Sequence, residues 1–185
     1  MNLPNKITTF RIVMIPFLLA AALIDFPYHW VVTAFIYICA CISDAVDGHI
    51  ARKKNIVTDF GKLMDPLSDK ALVLTAFVIF VKLGLCDIVC FTLILCRDFL
   101  VSGIRMSAAA KGKVIAANFF GKAKTVSQMV ATIVIFVFLA FQEFLPIPDA
   151  FISISAIVLF WIACVLTVLS GIKYTKDAWY LIETK

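Results

Sequence analysis

The chain has 185 residues, 63% hydrophobic and only 16% charged, with a mean hydropathy of +1.02. That balance excludes an ordinary soluble protein and leaves no room for a separate soluble domain. A net charge of +5 is accounted for by membrane topology and a phosphate-attracting face, so nucleic acid is not an expected partner.

In chain order, residues 2–9 come first. Polar Asn2 and Asn5, prolines at 4 and 16 and no small-x-small cleavage site argue for a short interfacial segment over a cleaved signal peptide. Six apolar stretches follow, at 10–25, 30–48, 66–83, 87–107, 121–144 and 149–171. Each approaches the roughly 20 residues a helix needs to cross ~30 Å of hydrocarbon. Turns are expected at Asp25-Phe-Pro27, Lys82-Leu-Gly84 and Pro146-Ile-Pro148. The pattern predicts an all-α membrane protein, a six-transmembrane-helix bundle forming one domain over 1–185.

Charge sets the expected orientation. Lys6, Arg11, Arg52, Lys53, Lys54, Lys62 and Lys70 precede the first stretch or lie around the second connection. Arg105, Lys111, Lys113, Lys122 and Lys124 surround the fourth connection, and Lys173, Lys176 and Lys185 end the chain. The opposite loops hold Lys82 against Asp25, Asp87, Glu143 and Asp149. The positive-inside rule then makes both termini cytoplasmic. No Arg- and Ser-rich presequence is visible, which favours a bacterial inner membrane over an organelle.

Between the second and third stretches lies the densest chemistry. It reads Asp44-x2-Asp47-Gly48-x2-Ala51-Arg52-x8-Gly61-x3-Asp65-x3-Asp69. Asp44 and Asp47 are three apart and Asp65 and Asp69 four apart, so each pair shares a helix face. Four carboxylates brought to one small volume could not all ionise unaided. Hard cations with oxygen ligands resolve that conflict, and a pair of metals suits displacement at phosphorus. Gly48 and Gly61 clear the backbone for a bulky ligand or for close helix packing. Arg52 offers a planar donor fork to a phosphate, while Lys53 and Lys54 read as topogenic charge.

This run fits without departure the signature of the CDP-alcohol phosphatidyltransferases, and the chain resembles that family over nearly its whole length. The opening Asn2–Arg11, the block Arg97–Arg105, Lys113-Val-Ile-Ala-Ala and Gly121–Thr125 resemble the branch whose acceptor is glycerol 3-phosphate. The resemblance implies a cytoplasm-facing active site, usually in a homodimer, that takes CDP-diacylglycerol and glycerol 3-phosphate within the membrane lipid. It implies two divalent cations, Mg2+ or Mn2+, on Asp44, Asp47, Asp65 and Asp69, with Asp69 also the catalytic base. CDP-diacylglycerol would be held by Asp44, Gly48, Arg52, Thr58 and Gly61, though Thr58 could equally form a turn. The acceptor's phosphate would fall to Arg105 with Lys122 or Lys124.

Later residues leave alternatives open. Arg97 and Asp98 lie inside the fourth stretch, as a polar network between helices or as a cavity lining. Adjacent side chains diverge by ~100°, so the two are not expected to pair simply with each other. Lys122 and Lys124, two residues apart, could serve one anion only if a helix begins between them; otherwise they are topogenic. The six cysteines read as small buried hydrophobes, His29 and His49 as non-catalytic, and Trp30 and Trp179-Tyr180 as interfacial anchors. Two other functions remain possible: the same chemistry on phosphatidylglycerol, serine or an inositol phosphate, and divalent-cation transport. Transport expects acids at mid-membrane and broken helices in related halves.

Overall fold

Apolar runs bounded by Pro, Gly and Asp fold here into six α-helices: α1 (Leu3–Leu23), α2 (His29–Lys54), α3 (Asp59–Lys82), α4 (Ile88–Ala110), α5 (Phe119–Gln142) and α6 (Asp149–Glu183). This computed structural model describes the backbone of residues 3–54, 59–110 and 119–183, and side chains over 9–43, 68, 70–108 and 121–176. Among the described residues there is no strand. Residues 3–9 continue into α1 without a break, so no boundary separates an N-terminal segment from the first apolar stretch.

The helices pack in a closed ring: α1 on α2, α2 on α5, α5 on α6, α6 on α4, α4 on α3, and α3 on α1. A further contact between α3 and α5 crosses the ring. Among its described residues α3 is the most enclosed, with Leu72, Ala76, Phe77, Ile79 and Phe80 all buried. Its aromatic rings key the neighbours together. Phe80 lies 4.6 Å from Phe136 of α5 and 5.2 Å from Phe160 of α6, and Phe77 lies 4.9 Å from Phe160.

The outside of the ring is equally apolar. Phe35 is 68% exposed, Leu100 66% and Phe99 64%, and large apolar side chains face outward on every helix. Such a belt on so small a protein marks a membrane-associated chain. Two helices, over Gly121–Gln142 and Asp149–Lys176, are by themselves long and apolar enough to span a bilayer. Threonines inside the helices are satisfied locally, as hydrocarbon requires. Thr33, Thr75, Thr92, Thr132 and Thr167 each donate to the carbonyl four residues back.

The ends of the helices obey local chemistry. Gly84, at φ +73°, closes α3: its N–H donates to Val81 O at 3.1 Å and that of Leu85 to Phe80 O at 2.9 Å. This is a Schellman stop, with Leu85 packed into the core beside the helix it terminates. Asp87 then caps α4, its Oδ1 accepting from Val89 N at 2.6 Å. Glu143, far along the chain, accepts from Trp30 N at 2.8 Å and so caps α2.

Candidate active site: a basic cavity beside the aspartate helices

The signature residues fall where α2 ends and α3 begins. Asp44, Asp47, Gly48 and Arg52 lie in α2 and Gly61, Asp65 and Asp69 in α3, joined by residues 55–58. Thr58 lies outside the described residues, and so do the side chains of the other seven. The donor chemistry of this group is still plain: four carboxylates and no sulfur or imidazole, a set that fits Mg2+ or Mn2+ and not a soft metal. Among the described residues no cluster of three His, Cys, Asp or Glu side chains competes with it. All six cysteines are free thiols; Cys41, Cys86, Cys90 and Cys164 are buried.

Arg11 of α1 reaches this region from the side. It is 1% exposed, and its Nη1 donates to Ser68 Oγ at 3.1 Å, between Asp65 and Asp69 in the α3 sequence. The sequence reading treated Arg11 only as topogenic charge. Its position inside an apolar stretch was the signal for burial.

A cavity of about 520 Å³ opens between α3, α4, α5 and α6 at the same end of the ring. Among the described residues, Lys70, Arg97, Arg105, Lys122 and Lys124 line it against a single carboxylate, Asp98. Such a wall favours an anion. A second cavity of about 290 Å³ shares Lys70, Asp98, Arg105 and Lys124 with the first and extends to Arg11. Lys70 directly follows Asp69 in α3, so the cavity begins one residue from the proposed base.

All three expected acceptor residues, Arg105, Lys122 and Lys124, line the larger cavity, but in different states. Helix α5 already includes Phe119, ahead of both lysines, so the condition that a helix begins between them is not met. Lys122 is exposed at the wall. Lys124 is 6% exposed, with Nζ 2.5 Å from both carboxylate oxygens of Asp98. Both reach one cavity because a lysine stem is long enough to bend around a helix shoulder.

Arg97 and Asp98 also differ from expectation. They do pair, Arg97 Nη1 donating to Asp98 Oδ1 at 3.1 Å, while Nη2 donates to Ser170 Oγ of α6 at 2.6 Å. The divergence of neighbouring Cα–Cβ bonds is overcome by the arginine's length, which lets the guanidinium fold back along the helix. The two residues are at once an interhelical network and a cavity lining. Lys70 adds its own bonds, to Asp98 O at 3.4 Å and to Ser102 Oγ. Sequence reasoning gave Lys70 no such role, nor did it find Tyr174, a buried residue on the cavity's α6 side.

Comparison with known proteins adds a second line. The model of a family described as CDP-alcohol phosphatidyltransferase matches residues 1–169. A protein of Bacillus subtilis (strain 168) named CDP-diacylglycerol--glycerol-3-phosphate 3-phosphatidyltransferase is 36% identical, over 99% of this chain and 98% of that one. Proteins of the same name from Rickettsia bellii (strain RML369-C) and Salmonella choleraesuis (strain SC-B67) are 34% and 33% identical. Those alignments cover 95% and 96% of this chain, and 94% of each relative.

Proposed function

The chain belongs to the CDP-alcohol phosphatidyltransferase family, and from that membership we propose that it transfers a phosphatidyl group from CDP-diacylglycerol to glycerol 3-phosphate. The products are phosphatidylglycerophosphate and CMP. The observation that carries the acceptor is the basic cavity, which among its described residues has five cationic side chains to one carboxylate and begins at the residue after Asp69. An unphosphorylated acceptor such as serine has no use for that wall.

In this reading the acceptor's phosphate rests against Arg105 and the cavity lysines, which turns its free hydroxyl toward α3. Asp69 takes the hydroxyl proton as the oxygen attacks the phosphatidyl phosphorus. A new P–O bond forms there, and the P–O bond to CMP breaks. Arg52 offers donors to the nucleotide phosphates, with Gly48, Gly61 and Thr58 making room for the donor or touching it. Asp44, Asp47, Asp65 and Asp69 would hold two Mg2+ or Mn2+ ions, which supply charge stabilisation for the diphosphate and the leaving CMP.

The protein in this reading is one domain over 1–185 that crosses a bacterial inner membrane six times and pairs as a homodimer. Its termini and site face the cytoplasm. Support comes from charge: Lys70, Arg105, Lys122, Lys124, Lys173 and Lys176 belong to the site end, against Lys82 at the other.

The test is CMP release from CDP-diacylglycerol by the purified protein in detergent, with glycerol 3-phosphate, serine, inositol phosphate and phosphatidylglycerol in parallel. Release with glycerol 3-phosphate alone is expected, abolished by a chelator and restored by Mg2+ or Mn2+. Release with a different acceptor would refute the reading of the cavity. Metal uptake into proteoliposomes without any CMP release would favour transport instead.

A further inference from the structure

Arg97 crosses from α4 to α6 through a gap that exists only because residue 171 is glycine. A Cβ at Gly171 would lie 2.8 Å from Arg97 Cγ. That carbon is mid-chain, and the guanidinium beyond it is held at both ends, by Ser170 Oγ and by Asp98 Oδ1. It cannot swing aside without losing one of them.

Asp98 carries the connection onward. It is 7% exposed, and both of its oxygens lie 2.5 Å from Lys124 Nζ. An ammonium has three protons. Two are taken by the carboxylate, and Lys124 has no other partner among the described residues, so its third donor is left to the cavity it lines. A carboxylate held by two cations has little freedom, and the lysine it grips is aimed accordingly.

We infer that Ser170, Gly171, Arg97 and Asp98 form a positioning relay that fixes the direction in which Lys124 presents its remaining proton to the acceptor's phosphate. The inference rests on the function proposed above. It makes α6 a determinant of acceptor affinity through residues that need not touch the acceptor. A network serving stability alone would lower the folded fraction without favouring one substrate's KM. A relay aimed at the acceptor splits the two substrates.

The experiment is steady-state kinetics on the purified full chain, varying glycerol 3-phosphate and CDP-diacylglycerol separately. Gly171→Ala should raise the acceptor KM about tenfold and Ser170→Ala about threefold, while the CDP-diacylglycerol KM stays within about twofold. The double variant Gly171→Ala/Arg97→Ala removes the clash but not the break, so its acceptor KM should remain raised. If Gly171→Ala does not fold, Ser170→Ala and the double variant carry the test. An unchanged acceptor KM in these variants, both KM values rising in parallel, or a double variant with the wild-type acceptor KM would each overturn the relay. A wild-type protein that ignores glycerol 3-phosphate would overturn the proposed function, and the relay's ligand with it.

Discussion

Lys122 and Lys124 stand two residues apart on one helix, line one cavity and meet opposite circumstances, and that contrast governs what each substitution does. Lys124 is buried against Asp98, so Lys124→Met leaves a largely buried carboxylate with Arg97 as its remaining ion-pair partner. Breaking a buried pair from one side costs on the order of 3 kcal/mol, and a clear fall in thermal midpoint should accompany any loss of activity. Lys122 is exposed, so Lys122→Gln should leave the midpoint unchanged and raise the acceptor KM about tenfold, the worth of one charge-assisted contact. Equal midpoints for the two variants would contradict the burial. Asp69→Asn removes the proposed base while keeping an oxygen donor; turnover should collapse while CDP-diacylglycerol binding, measured separately, changes far less. Near-wild-type turnover would dismiss that role. The aspartates could be found in the sequence because their meaning lies in spacing along two helices. Asp98 was legible as a charge set between helices or on a cavity, but its partners were not, because Lys124, and Ser170 through Arg97, join it only where α4, α5 and α6 converge and no local pattern encodes that meeting. Gly171 is the extreme case: an ordinary glycine until the arginine it admits is seen.

Elements were legible for a different reason. Apolar runs mark the parts of helices that can face lipid, and Gly84, Asp87 and the prolines near 146–148 mark where the chain must turn. Each observed helix therefore overlaps its expected stretch. The lengths were not legible. Helix α2 runs on to Lys54 and α6 to Glu183, well beyond positions 48 and 171, because backbone hydrogen bonding continues where hydrophobicity stops. Also hidden was the capping of α2 by Glu143, a contact spanning 113 positions. One carboxylate oxygen accepts from Trp30 N and lies 3.4 Å from His29 Nδ1. Nearby Tyr28 stacks on Phe144 at 5.2 Å, which ties the α1–α2 turn to the α5–α6 turn. Glu143→Ala should cost about 1 kcal/mol, the usual worth of a cap, whereas Glu143→Gln keeps an acceptor oxygen and should cost less. Since this end lies away from the basic cavity, both variants should keep the wild-type acceptor KM. A midpoint in Glu143→Ala equal to wild type would show that the cap contributes nothing.

At the scale of the whole molecule, the open physical question is how many of the helices cross the bilayer. Among the described residues, only α5 and α6 qualify on length and apolarity alone. The described apolar parts of α1 and α2, Thr9–Leu23 and His29–Ser43, are shorter than a full span, and α4 carries Arg97, Asp98 and Arg105, charges that count against insertion when the helix is weighed by itself. The fold changes that accounting. Arg97 and Asp98 of α4 are paired with each other and with Ser170 and Lys124, so lipid never meets them as isolated ions. Arg11 of α1 is turned inward onto Ser68 of α3, and the described part of α3 buries Leu72, Ala76, Phe77, Ile79 and Phe80 against its neighbours. Charges that would bar a lone helix are tolerated once they face protein. All six helices should therefore span, with the 24–28, 83–87 and 143–148 turns on one side and both termini on the other. Reporter fusions decide it: after Lys185 and within 111–118 a cytoplasmic reporter should be active, and after Asp25, Gly84 and Ile147 only an external one. If α5 and α6 were the only spans, the fusions at Asp25 and Gly84 would report the same side as Lys185. In that case the aspartates of α2 and α3 would lie on a surface helix layer, and the acceptor cavity would open along the bilayer instead of into it.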